Sequence, residues 1–228
     1  MINIGKTIYL DSGHGGRDPG AVSGGRRESD DNLRLASVVR RDLQRQDLTV
    51  IMARESDVDM SLTARTNQAN SAGADLFISL HRNAFTNSAA NGTEVWIFTR
   101  PTAAETGLAC EIMERLAEVG VQSNRGVKMG NFHVLRESCM PAVLIELGFI
   151  TNTRDNELFD ENLNAYSEAI VRGICAALGI EYAEAEAEKP QDTMYRIQVG
   201  AFRVRENAEN FLLTVRGMGL EAFMIASE

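Results

Sequence analysis

Apolar positions along the first 180 residues follow two alternating periods. Short apolar runs at 7–10, 48–52, 76–80, 94–98 and 142–147 read as buried strands. Between them the spacing turns helical. Leu35, Val38, Val39 and Leu43 recur at three- and four-residue steps within 32–44, and 61–71 opens with Ser61 as a cap. Leu108, Ile112, Leu116 and Val119 mark a third helix, and a fourth, over 156–178, stops at Gly179. Strands alternating with helices predict an α/β fold: a mainly parallel, twisted sheet flanked by helices on both faces.

The pattern changes after residue 180. In 181–192, Glu181, Glu184, Glu186, Glu188 and Asp192 alternate with small residues, with Pro190 near the end. Such a stretch has no apolar face to bury and reads as an acidic linker. Beyond it, Tyr195, Ile197 and Val199 alternate with polar residues as a half-buried strand does. Ala208, Phe211, Leu212 and Val215 suggest a helix, and 221–225 a further strand. The expected organisation is therefore a catalytic-sized domain over 1–180, a linker over 181–192 and a partial α+β module over 193–228. Three elements make a thin core for independent folding. An open edge in such a module gives self-association through it as an expectation.

Composition narrows the partners. The 228 residues are 44% hydrophobic and 6% aromatic, with a formal net charge of −9. An acidic chain of this kind is unsuited to nucleic acid, and no apolar stretch is long enough for membrane insertion. Met1-Ile2-Asn3-Ile4-Gly5-Lys6 runs into the first strand without the features of a signal peptide. That argues against export by the general route and for a protein held in the cytoplasm. Cys110, Cys139 and Cys175 are far apart and form no CxxC pair, so they are expected to be buried thiols in a reducing compartment.

The candidate chemistry starts at Asp11-Ser-Gly-His-Gly-Gly-Arg-Asp-Pro-Gly20, just past the first strand. The glycines force a tight turn and hold His14 at the carboxyl end of a strand, where open α/β sheets place ligands. No lysine follows in the phosphate-loop pattern. His81 stands at the end of another strand. Two imidazoles suit zinc, whose hydrolytic sites usually take three protein ligands and leave a position for water. Glu28, between the loop and the first helix, is the leading third ligand. Asp30 and Asp31 are rivals that would more often cap the helix. Glu146 is a carboxylate inside the apolar strand 143–149, where a charge needs a partner or a raised pKa, and it is the candidate general base. His133 would line a pocket or be a satisfied structural histidine.

These residues fall in a recognisable order. Residues 1–180 resemble the zinc-dependent N-acetylmuramoyl-L-alanine amidases of bacterial cell-wall turnover. The resemblance rests on the 11–21 loop, Glu28, Leu62-Thr-Ala-Arg65 with Ala69-Asn70, and Ala74-Asp-Leu-Phe-Ile-Ser-Leu-His-Arg-Asn83. Val134-Leu135 and Pro141-Ala-Val-Leu-Ile-Glu-Leu-Gly-Phe-Ile-Thr-Asn152 complete it. It implies one zinc per chain on His14, Glu28 and His81, with Glu146 catalytic, the same four residues reached above. Peptidoglycan is the implied partner, cleaved at the amide between N-acetylmuramic acid and the L-alanine of the stem peptide. Arg65, Arg82 and Asn83 are candidates for substrate contact. Arg82 departs from the family, which more often has a small residue there; beside the metal it would reach a substrate carboxylate or point to solvent. Tyr195-Arg-Ile-Gln-Val-Gly-Ala-Phe202 with Glu206-Asn-Ala-Glu209 resembles the first half of a sporulation-related repeat (SPOR-like) domain, which binds glycan stripped of stem peptides. The alternatives are another zinc hydrolase of cell-wall material, a carboxypeptidase or N-deacetylase, and a wall-binding protein without activity. The resemblance divides the biological role between a phage lysin and a sporulation or autolytic amidase, either of which would wait in the cytoplasm until a holin or cell lysis releases it to the wall.

Overall fold

A computed structural model describes residues 5–184, 198–218, 220 and 222–225. It divides into two compact units, Met1–Glu184 and Ala185–Glu228.

The first unit is built on a six-stranded sheet in the order β4-β1-β5-β8-β6-β7. The strands are β1 (Thr7–Ser12), β4 (Thr49–Met52), β5 (Leu76–Asn83), β6 (Thr93–Ile97), β7 (Asn124–Met129) and β8 (Ala142–Phe149). Every neighbouring pair is parallel except β6 with β8. The expected mainly parallel sheet is present.

Alternate side chains of each strand feed two cores. Ile8, Leu10, Ile78, Leu80, Val143 and Ile145 face one side, under helices α1 (Glu28–Gln44), α3 (Ala103–Val119) and α6 (Leu163–Leu178). Tyr9, Phe77, Ala142 and Leu144 face the other, covered by α2 (Leu62–Ser71) and the short α4 (His133–Arg136). Strands buried on both faces need continuous apolar runs, which is why they were readable in the sequence. From β1 the chain crosses through α1 to β4 on one flank. It then returns through α2, on the opposite face, to β5 on the other flank. With right-handed crossovers the helices part between β1 and β5 and leave a crevice at the carboxyl ends of those strands.

Several boundaries differ from expectation. Helix α1 begins at Glu28, not Asn32, so Glu28 is its first residue. Neither Asp30 nor Asp31 caps it: Arg27 is the N-cap, and both aspartates lie in the first turn. Strand β7 reads Asn-Arg-Gly-Val-Lys-Met and is a polar edge strand with no alternation to detect. A small hairpin, β2 (Val22–Ser23) and β3 (Arg26–Arg27), turns through Gly24 and Gly25, both with positive φ. The single helix expected over 156–178 is two, α5 (Thr153–Glu161) and α6, parted at Asn162. Cys175 is buried as expected, but Cys110 and Cys139 are exposed.

In the second unit, α7 (Arg205–Gly217) covers the predicted helix and buries none of its residues. Phe202 and Phe211 pack ring to ring at 5.2 Å. Residues 222–225 form no strand, and Tyr195, Ile197 and 185–192 of the linker lie outside the described residues. No helix among the described residues is long and apolar enough to cross a membrane.

Candidate metal centre

The loop leaving β1 is held from below by two buried arginines. Arg54 donates to the carbonyls of Ser12, Gly13 and Ser29. Arg65, on α2, donates to the carbonyls of Ser12 and His14 and to the Asp11 carboxylate. Ser79 gives Asp11 a second hydrogen bond, at 2.7 Å. This scaffold sustains a left-handed backbone at His14 (φ 61), which a non-glycine residue adopts only under tertiary constraint.

The constraint aims His14 at Glu28 and His81. Nε2 of His14 lies 3.2 Å and Nδ1 of His81 2.8 Å from Oε1 of Glu28. One ligand atom from each of the three residues falls within 4.8 Å of the others. Glu28 is fixed by donors from Ala21 N to Oε2 and Arg82 N to Oε1. On its far side, His14 Nδ1 meets Asp18 Oδ2 at 2.7 Å, a contact that sets ring orientation and tautomer. Asp18, four residues on in the same loop, was not singled out from the sequence.

Glycines make room for the rings. A Cβ at Gly13 would sit 2.1 Å from His81 Cε1, and one at Gly20 would sit 2.6 Å from both Glu28 Oε2 and His14 Cδ2. The donor set is two imidazoles and one carboxylate in a cradle that side chains would fill, and this suits a zinc-type ion.

Charges in the cluster are strongly coupled. Burial works against a charge on His14, but its bonds to Glu28 and Asp18 prevail and raise it to about 9. Burial opposes ionisation of Glu28 too, yet the two imidazoles hold its carboxyl far below the usual range. His81 is raised, with Glu28 and Glu146 outweighing burial.

Glu146 of β8 lies directly beside His81 of β5 in the ladder. Its Oε2 is buried, and no described residue gives it a hydrogen bond. Burial pushes it up to about 7; His81 opposes the shift, while Glu28 and Glu94 add to it. A carboxylate so poised can carry a proton near neutrality.

The three expected substrate contacts are otherwise engaged. Arg82 faces the opposite side of the sheet from His81, with its side chain 0% exposed. It donates to Asp31 and Asn156 and lies over the Phe159 ring at 4.3 Å. It therefore neither reaches a substrate nor points to solvent; the period of two places residue 82 among the helices. Arg65 is 3% exposed and locked on Asp11. Asn83 donates to Glu94. His133 starts α4 with a buried Nε2 that no described residue bonds. The roles of Asp11, Arg54 and Glu94 gave no signal because the charged or carbonyl partners that fix them, Arg65, Ser12 and Arg125, lie 31 to 54 residues away.

Comparison with known proteins agrees with this geometry. The family model for N-acetylmuramoyl-L-alanine amidase (Amidase_3) matches residues 8–178. The chain is 37% identical over 220 residues to N-acetylmuramoyl-L-alanine amidase CwlM of Bacillus licheniformis, covering 96% of this chain and 84% of that one. It is 34% identical to the sporulation-specific N-acetylmuramoyl-L-alanine amidase of Bacillus subtilis, covering 97% and 85%. Among solved structures, the N-acetylmuramoyl-L-alanine amidase of Clostridium difficile 630 superposes with a TM-score of 0.74 at 36% identity, over 77% of this chain and 97% of that one. With the family model spanning both sheet cores and the whole metal cradle, the chain belongs to the N-acetylmuramoyl-L-alanine amidase family.

Proposed function

We propose that this enzyme hydrolyses the amide between N-acetylmuramic acid and the L-alanine of the stem peptide, with zinc held by His14, Glu28 and His81 and with Glu146 as the proton carrier. The observation that carries this reading is the gathering of three ligand atoms within 4.8 Å beside a carboxylate oxygen that no described residue bonds. When bound, the metal supplies Lewis acidity toward the scissile carbonyl and lowers the pKa of water. The rest is the work of the chain. Asp18 and the Arg65–Asp11 scaffold orient His14, and Glu28 aligns both imidazoles. Glu146 Oε2 takes the proton of the attacking water and returns it to the departing amine of L-alanine, which then leaves as a neutral group.

Mass spectrometry of purified peptidoglycan after digestion tests this directly. New L-alanine amino termini are expected, and a chelator should abolish them. Glu146→Gln should retain one zinc per chain and lose activity by about 10²–10⁴-fold. Release of acetate in place of new amino termini would overturn the reading, as would full activity of the Glu146 variant.

The likeness of 195–202 and 206–209 to a sporulation-related repeat supports a second role for the C-terminal unit, holding the enzyme on denuded glycan, and the open edge expected of a half-module supports pairing with a second copy. Sedimentation with purified cell walls and gel filtration check it. If a chain ending at Glu184 sediments and elutes as the full chain does, allowing for mass, the module has neither role.

A further inference from the structure

One charged cluster beside Glu146 has no task in this mechanism. Glu94 of β6 lies directly opposite Glu146 of β8, so both side chains leave the same face of the sheet. Glu94 is 3% exposed and its carboxylate is fully engaged. Oε1 accepts from Asn83 Nδ2 at 2.9 Å and Trp96 Nε1 at 3.1 Å. Oε2 accepts from Arg125 Nε at 2.6 Å and pairs with the Lys128 ammonium at 2.7 Å.

Two cations thus share one carboxylate, leaving an excess positive charge at the rim of the site. The side chains of Arg125 and Lys128 are 35% and 33% exposed, so the excess is open to a ligand. Among the described residues, Arg125 has one other acceptor, the Asn91 carbonyl at 3.5 Å from Nη1. Lys128 Nζ forms an ion pair with Glu94 and has three protons to donate. A lysine on an edge strand can serve merely to blunt the edge. Lys128 is not placed for that: it is drawn inward onto Glu94 and over the Trp96 ring at 5.7 Å.

The substrate says which side of the bond such a site would bind. The lactyl carboxyl of the sugar is consumed in the scissile amide, and N-acetylated sugars carry no charge. The remaining carboxylates lie on the stem peptide. We propose that Arg125 and Lys128, positioned by Glu94 next to Glu146, form the subsite for a stem-peptide carboxylate beyond the L-alanine. Arg125 offers a planar fork matched to a carboxylate, and Lys128 a movable point charge. The inference rests on the amidase reading above.

Soluble muramoyl peptides test it. One pair differs only in a free carboxylate or carboxamide on the residue after L-alanine, and a second pair differs in the same way at the third residue. The enzyme is expected to prefer the free carboxylate in one pair by about tenfold in kcat/KM, expressed mainly in KM. That pair identifies which carboxylate is read. Arg125→Gln and Lys128→Gln should erase the preference, while Lys128→Arg should keep most of it. Zinc content is measured for every preparation, to separate a lost subsite from a lost site. Three results overturn the proposal: no preference in either pair, variants that lose both members of a pair equally, or Lys128→Arg falling as far as Lys128→Gln. Failure to cleave any of the four substrates, or peptidoglycan itself, instead removes the amidase reading and this inference with it.

Discussion

Gly13 and His14 carry the sharpest constraints at the scale of single residues. Gly13 leaves space that the His81 ring fills, so even one methyl group forces the ring or the β1 loop aside. Gly13→Ala is expected to lower zinc affinity by about 10–100-fold, as loss of a ligand-orienting contact does. Titration with a competing chelator measures it, and unchanged affinity would show that the loop yields. His14 gives a pH signature. In the metal-free protein its pKa rises from 6.5 to about 9, so the folded state holds this proton more tightly than the unfolded chain. The corresponding stability is complete below about pH 6.5 and is lost as pH rises through about 9. Zinc requires the neutral ring, so the stabilisation conferred by zinc runs the other way and grows with pH. Melting temperatures of chelated and zinc-loaded protein between pH 6 and 9.5 should therefore diverge, and parallel curves would refute the linkage.

Among the elements, α1 presents Glu28, the proposed third ligand, and its rotation decides where that side chain points. Arg82 sets that rotation. It bonds Asp31, three residues along the helix from Glu28, and reaches Asn156 and the Phe159 ring of α5. Burial pushes its guanidinium down to about 10, and Asp31 opposes the shift. Arg82→Met leaves Asp31 with Arg26 as its remaining partner. A loss of about 3 kcal/mol in urea unfolding is expected, typical of breaking a buried pair, together with weaker zinc binding. A Met variant as stable as the parent would mean that this arginine is ballast. The outer end of the same network is Asp160, clamped by Arg26 and Arg34, which hold its carboxyl down to about 2. A lowered carboxylate stabilises the fold above its unfolded value of 3.8, and the gain is lost as pH falls through about 2. Asp160→Asn should thus destabilise at pH 7 and have little effect on unfolding near pH 2.

Both hydrophobic clusters, the metal cradle, Glu146 and the Glu94 cluster lie within Met1–Glu184 when the whole molecule is considered. A chain ending at Glu184 is therefore expected to keep its melting temperature within about 2 °C, less than the shift from 1 kcal/mol in a domain of this size. It should also keep its rate on a soluble muramoyl peptide. A collapse of either would show that the first unit draws on the second.

The buried strands, the helices packed on them and the cluster of His14, Glu28 and His81 were legible in the sequence. A parallel sheet covered on both faces demands long apolar runs, and its ligands gather at strand ends marked by glycine and histidine. Tertiary structure decided what depends on contacts between distant segments. The polar edge strand β7 is stabilised by pairing with β6, so nothing in its own pattern announces it. Arg65 and Arg82 look alike in the sequence as free cations near the metal. A shift of one position on β5 sends residue 82 to the face opposite residue 81, and the folded chain then supplies each arginine with a buried aspartate. Arg125 and Lys128 give no signal until the antiparallel pairing of β6 with β8 sets Glu94 beside Glu146. Local pattern reports which face a side chain takes and how deeply it is buried; which charges meet depends on how the strands are ordered.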